Sequence, residues 1–267
     1  MVALNVEGTA RRHWRASPWP RRFSPEGVAA TAIVILSALF LAAPTIDLWA
    51  SSLFWSPAGF ELSQSPALKA LRKSSTWVLG LILLGVLVTL SAHLVRRDWA
   101  ALGGARRCWF LLAGLALGPG LVVNTILKDG WGRPRPNAIE AFGGEAPYVP
   151  VWEISNWCDR NCSFVSGEAS SAAWTVAAAV VLTSVLPSAA ARTAVIVGAV
   201  IYGAALSLNR LAFGGHFLSD ILLSWAITAL TLALLARVLL PAPAEARRRA
   251  RRWRVRLARL TRVPQGA

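Results

Sequence analysis

Six stretches of the chain, roughly residues 28–49, 76–95, 108–127, 168–186, 193–209 and 217–240, are apolar over close to the length needed to cross a bilayer, which for a helix is about 20 residues. Sequence of this kind cannot fold into a soluble core. Hydrophobic residues make up 55% of the chain and charged residues 15%, against about 25% charged in an ordinary soluble domain. Too little polar surface remains to cover the molecule in water. Thirteen Trp against two Tyr suit a protein whose indole rings settle at membrane interfaces. The expected fold is all-α, a six-transmembrane-helix bundle. The third stretch contains Gly114, Gly118, Pro119 and Gly120, which predicts a kink or a close helix contact near Pro119. The fourth and fifth are rich in Ala, Ser and Thr, as closely packed membrane helices are.

Six crossings place both termini on one face. With the N-terminus inside, 20 basic residues and four acids fall in the cytoplasmic segments, and eight basic residues and nine acids in the outer ones. That asymmetry predicts cytoplasmic termini and a long periplasmic loop between helices three and four. The net charge of +15 is thereby explained as membrane topology. Because no compact polar domain carries it, nucleic-acid binding is excluded. The expected organisation is an Arg-rich cytoplasmic segment over 1–27, a membrane domain over 28–240 and a basic cytoplasmic tail over 241–267. With about 27 polar, Arg-rich residues before it, the first span reads as a retained signal anchor. The tail from Ala244 to Val263 reads as a basic helix attracted to anionic lipids of the inner leaflet. Of the three Cys, Cys108 is expected to pack within a helix, and Cys158 and Cys162 are the candidate disulfide of the outer loop.

Ionisable residues near membrane depth mark function more often than packing. Here they occur in three segments at outer helix ends: Lys128 with Arg135-Pro136, then Ser166-Gly167-Glu168, then Arg210 with His216 and Asp220. Singly, Lys128 or Arg135 could be a snorkelling interfacial residue, and His216 a polar cap. Together they describe a phosphate site. Two guanidinium forks and an ammonium suit a tetrahedral dianion. Ser166-Gly167 at a helix start adds backbone N–H groups and the positive end of the helix dipole. If the last helix begins near Gly215, His216 and Asp220 share a face, and the carboxylate can fix the imidazole tautomer.

These segments resemble the tripartite signature of the type 2 phosphatidic acid phosphatase (PAP2) superfamily of integral membrane lipid phosphatases: K-x6-R-P, P-S-G-H and S-R-x5-H-x3-D. The first matches at Lys128, Arg135 and Pro136; the third matches at Arg210, His216 and Asp220, with Asn209 in place of Ser. The resemblance covers roughly residues 28–240. It implies that His216 is the nucleophile and forms a phosphohistidine, that Asp220 orients it, and that Lys128, Arg135, Arg210, Ser166 and Gly167 hold the phosphoryl oxygens. The middle motif departs: Val165 replaces Pro, and Glu168 replaces the His that protonates the leaving oxygen.

A carboxylic acid can take that role when its environment favours the protonated form, so Glu168 is the candidate proton donor. The alternatives are a substrate whose leaving group needs no proton, transfer of the phosphoryl group to another lipid, or a non-catalytic phospholipid-binding protein. The expected substrate is a membrane lipid phosphate: phosphatidate, phosphatidylglycerol phosphate, an isoprenyl pyrophosphate or a lipid A phosphate. No cofactor or metal is expected, since the cluster lacks the carboxylate set that Mg²⁺ prefers. The expected location is the bacterial inner membrane, with the site facing the periplasm.

Overall fold

The computed structural model describes residues 24–96, 102–184, 186 and 188–240. The Arg-rich segment before Ser24 and the basic tail beyond Leu240 lie outside the described residues. Helix α1 (Pro25–Ala42) opens with Pro25 at its first position and Ser24 as cap, whose Oγ accepts the Gly27 N–H at 3.2 Å. The residue before a proline disfavours helical dihedrals, and Ala43, at φ −136° and ψ 67°, leaves the helix ahead of Pro44. A second helix, α2 (Thr45–Ser52), follows at once and buries Asp47. The expected span of 28–49 is therefore two helices, and its acid lies at a bend.

Helix α3 (Pro66–Arg96) has 31 residues, about 46 Å at 1.5 Å per residue, whereas the hydrocarbon core is about 30 Å thick. The expected span of 76–95 is its apolar part; the opening turns, with Lys69, Arg72 and Lys73, extend beyond it. Helix α4 (Leu102–Leu115) continues into a π-helical stretch, Ala116–Leu127, that ends in the single turn α5 (Lys128–Gly130). This wider stretch contains Pro119, which has no N–H to give to the turn before it. Asn124 Nδ2 donates to the Pro119 carbonyl at 2.7 Å and Thr125 Oγ1 to the Gly120 carbonyl at 3.2 Å.

Helix α6 (Gly167–Thr183) is followed by α7 (Ala189–Ala212) and α8 (Leu218–Leu239). Among the described residues the protein is all-helical, and five helices are long and apolar enough to cross a membrane. The remaining expected span, α6, has 17 residues, about 26 Å, and falls short of them. The protein is a multi-pass membrane protein. Large apolar side chains such as Leu81, Val88, Ile201 and Val238 stand exposed on the outside of the bundle, the surface that lipid tails cover.

Helix α6 packs chiefly on α7 and α8, while α1 lies along α8 and α3 along α4. Its small residues, among them Ala169, Ser170, Ala172 and Ala173, allow this close approach. Trp174 is fully buried between Leu111 and Leu232, and its Nε1 donates to the Leu111 carbonyl at 2.9 Å. Cys108 packs in the same cluster, as expected. Trp174→Ala is expected to cost about 3–5 kcal/mol, the range for removing a large buried aromatic. Equilibrium unfolding in mixed micelles would measure it, with Trp174→Phe costing distinctly less.

Candidate active site

Two short connections bring the three segments together. The loop after α5 runs back across the bundle end from Trp131 to Val165, and the turn Phe213–Phe217 links α7 to α8. Gly214 takes a left-handed φ of 61° in that turn, and its carbonyl accepts the Asn137 N–H at 3.0 Å. Gly215 lies against the Arg210 guanidinium, where a Cβ would collide with it. The turn therefore places His216 beside Arg210.

His216 is buried, and its Nδ1 faces the Ser163 carbonyl at 2.7 Å. A carbonyl only accepts, so Nδ1 carries the proton and Nε2 keeps its lone pair. Burial, followed by the charges of Arg210, Lys128 and Arg135, holds the imidazole well below its ordinary pKa of 6.5, with the Ser163 carbonyl opposing. Burial and these cations favour the neutral ring.

Asp220 does not hold the imidazole directly. Its Oδ2 is 4.0 Å from Nδ1, beyond hydrogen-bond distance. The shared helical face expected of the pair does not form because α8 begins at Leu218, with Phe217 extended as its cap. His216 lies before the helix, and Asp220 takes the third helical position. There Oδ2 accepts the Phe217 N–H at 2.9 Å, as acids at this position do. The same oxygen accepts the Ser163 hydroxyl at 2.5 Å. Asp220 thus fixes the residue whose carbonyl fixes the histidine.

Sequence reasoning missed what holds Asp220. Arg133, two residues before Arg135, is fully buried: its Nη1 donates to Asp220 at 2.5 Å, its Nη2 to Asp47 at 2.9 Å and its Nε to the Val149 carbonyl at 2.8 Å. Its guanidinium stacks 4.4 Å from the centre of the Phe217 ring. Asp47 in turn accepts the Ser219 N–H at 2.8 Å and the Ser219 hydroxyl at 2.5 Å, closing the start of α8. Burial works against the charge on Arg133, but the two carboxylates outweigh it and raise its pKa. An acid in an otherwise apolar stretch, Asp47, was the one signal of this network in the sequence.

The expected phosphate-holding residues divide in two. Lys128, Gly167 and Glu168 line one cavity, of about 560 Å³; Arg135 and Arg210 line its neighbour, of about 840 Å³, with Gly215. Arg135 donates through Nε and Nη2 to the Asn161 carbonyl at 3.2 and 2.6 Å. Ser166 is more committed than expected. Its Oγ caps α6 by accepting the Ala169 N–H at 3.3 Å, and its N–H meets the Asp220 carbonyl at 3.3 Å. Gly167 has a packing role besides, since a Cβ there would meet the Asn124 side chain at 2.5 Å. Glu168 stands between two guanidinium groups, Oε1 at 2.8 Å from Arg72 Nε and Oε2 at 3.1 Å from Arg210 Nε. The second contact lacks hydrogen-bond alignment, so among the described residues the buried Arg210 Nε has no directional partner.

Cys158 and Cys162 are paired as a disulfide, with Cα atoms 5.7 Å apart. The loop that carries them packs inward. Trp131, Trp152 and Phe164 meet one another edge-on or tilted, with ring centres 5.0–5.7 Å apart, and Trp152 Nε1 donates to Ser37 of α1 at 2.8 Å.

Comparison with known proteins follows the same residues. The family model described as the PAP2 superfamily matches residues 107–242. A lipid A 4'-phosphatase of Francisella tularensis subsp. novicida is 42% identical over 113 residues, 42% of this chain and 49% of that protein. Those of Rhizobium etli and Rhizobium leguminosarum are 38% and 37% identical over 131 and 135 residues, 49% of this chain in each case and 49% and 54% of the relatives. The chain spans about half the length of the curated relatives it matches. Among solved structures, the first transmembrane PAP2 type phosphatidylglycerolphosphate phosphatase from Bacillus subtilis is similar in fold, with a TM-score of 0.51. The identity is 20%, over 80% of this chain and 94% of that one.

Two consequences are measurable. Arg133→Met leaves two buried carboxylates without their cation and is expected to destabilise the fold by about 3–5 kcal/mol, read by unfolding in mixed micelles. Because folding lowers the His216 pKa, the unfolded chain binds more protons below about pH 6.5. The His216 contribution to stability is complete above that pH and declines as the pH falls below it. In parallel unfolding curves between pH 5 and 8, His216→Gln is expected to flatten this acid slope.

Proposed function

The chain belongs to the PAP2 superfamily, and on that premise we propose that it is a membrane lipid phosphatase acting through a phosphohistidine. The observation that carries this reading is the neutral His216 imidazole, fixed at Nδ1 by Ser163, beside Arg210 and within the field of Lys128 and Arg135. In the proposed reaction the substrate phosphate binds among these three cations and the free N–H groups at the start of α6. The His216 Nε2 lone pair attacks phosphorus in line, the bond from phosphorus to the lipid oxygen breaks, and the phosphoryl group passes to Nε2. Positive charge on the ring is stabilised through Nδ1–H to Ser163 and by Asp220 nearby. Water then attacks phosphorus, releasing phosphate and restoring the neutral ring.

Glu168 is the proposed proton donor. Its position between Arg72 and Arg210 supports a substrate-coupled role: an incoming phosphate dianion competes for Arg210, and the carboxyl group released beside that dianion takes up a proton. The proton passes to the leaving lipid oxygen, and Glu168 recovers one from the attacking water. A second reading draws on the same ion pairs. If Glu168 keeps them throughout, the enzyme acts on leaving groups that need no proton, such as a diphosphate or an anomeric phosphate.

The names of the relatives support a phosphorylated glycolipid of the lipid A class as substrate. We place the site on the periplasmic face of a bacterial inner membrane, with α6 as the short sixth crossing and both termini cytoplasmic, because basic residues crowd the opposite face.

Phosphate release from a panel of lipid phosphates and diphosphates, measured with EDTA present, tests this reading. His216→Ala is expected to abolish release. Glu168→Gln is expected to lower kcat by about 10²–10⁴-fold, the usual contribution of a general acid, on an alkyl phosphate. On a diphosphate the loss is expected to be far smaller. Equal activity of Glu168→Gln and wild type on every substrate would exclude Glu168 as the proton donor.

A further inference from the structure

We propose that the opening turns of α3 form a second anion subsite, which holds a further phosphate or carboxylate group of the same lipid whose phosphate is presented to His216. The proposal rests on the phosphatase reading above. Lys69, Arg72 and Lys73 occupy two turns of α3 beyond its apolar part. All three line the 560 Å³ cavity that also contains Lys128, Gly167 and Glu168, and Lys69 and Arg72 line the neighbouring cavity with Arg135 and Arg210 as well. Hydrogen bonds between α3 and α7 set this arrangement, one of them between the Ser74 and Tyr202 hydroxyls at 2.7 Å. Asn209, next to Arg210, donates through Nδ2 to the Leu68 carbonyl at 2.9 Å, which fixes the start of α3 against the end of α7.

The charge at the two cavities exceeds what one phosphate needs. Lys128, Arg135 and Arg210, set against Glu168, leave two positive charges, which match one phosphate monoester dianion. Lys69, Arg72 and Lys73, set against Glu61 in the second cavity, leave two more. Among the described residues, the carboxylate paired with these three cations is Glu168, on Arg72; Lys69 reaches the uncharged Gln64 at 2.9 Å. Like charges three and four residues apart on a helix repel, so the triplet is poised for an anion. A snorkelling role needs only contact with the interface, whereas these side chains face a cavity shared with the site. That cavity continues past Thr76 to Leu79, into the apolar part of α3, the direction in which a lipid's tails would lie. The triplet also precedes the family match at residue 107, so it is a feature of this chain outside the shared motifs.

The test uses the full-length protein in nanodiscs of zwitterionic lipid. The probes are a synthetic glycolipid with phosphate monoesters on two separate sugars and its counterpart with one. Lys69→Ala/Lys73→Ala is expected to lower kcat/KM on the two-phosphate lipid about tenfold, mainly through KM, the scale of lost charge-assisted contacts at a partly exposed site. The value for the one-phosphate lipid is expected to stay within twofold, and Lys69→Arg/Lys73→Arg to restore the difference. Equal change on both lipids, or none, overturns the proposal. Added phosphatidylglycerol or inorganic phosphate that stimulates hydrolysis of the one-phosphate lipid only when both lysines are present would assign the subsite to a separate anion and overturn its link to the substrate. If wild type hydrolyses neither of these lipids nor any of the panel above, the phosphatase reading fails, and binding decides the subsite. The two-phosphate lipid is then expected to bind His216→Ala about tenfold more tightly than the variant also lacking Lys69 and Lys73; equal binding overturns the proposal.

Discussion

The site depends on one buried guanidinium. Arg133 joins Asp47 of α2, the 131–165 loop and Asp220 of α8, three segments far apart in the chain, in a region closed to water. A buried triad of this kind gains little stability over apolar packing, since desolvation offsets most of the attraction. Its contribution is position. With Arg133 on one oxygen, Asp220 can turn the other only toward Ser163 and the Phe217 N–H. Ser163 is thereby held where its carbonyl meets His216. The imidazole is oriented through a relay that starts at Arg133, one of the six unspecified positions between Lys128 and Arg135.

This explains which parts of the site could be read from the sequence. Spacing brought Lys128, Arg135, Arg210, His216 and Asp220 forward as candidates, because each stands at or near the end of a helix. The apolar stretches identified the helical class. Contacts across the chain could not be read. In the run Arg133-Pro134-Arg135, nothing local distinguishes a buried structural arginine from one that faces a cavity. Asp47 and Arg133 meet across 86 residues. The direct pairing expected of His216 with Asp220 assumed a helix beginning near Gly215; an extended Phe217 moves that start by three residues and changes the register. Boundaries failed for similar reasons. A hydropathy window cannot detect the break before Pro44, nor the polar turns by which α3 outruns its apolar part.

Glu168 shows how a departure from a motif can be absorbed by residues outside it. The resemblance puts Glu168 at the place of the signature's histidine, and the structure gives this carboxylate two cations, Arg210 of α7 and Arg72 of α3. A single charge is thus exchanged for a bridge between two helices. Without substrate, Glu168 serves as an internal counter-ion for Arg210, whose Nε it faces without full alignment. A phosphate that binds Arg210 bidentately would improve on that contact, so exchange of Glu168 for substrate is energetically reasonable. The same exchange links the reacting centre to the cationic turns of α3.

The central claim is that His216 becomes covalently phosphorylated. The most direct measurement is rapid denaturation of the protein during turnover of a lipid labelled in its phosphate, followed by peptide mapping. An acid-labile, alkali-stable label is expected on the peptide containing His216, and none in His216→Ala. Turnover without any label on that peptide, or a label on another side chain, would contradict it.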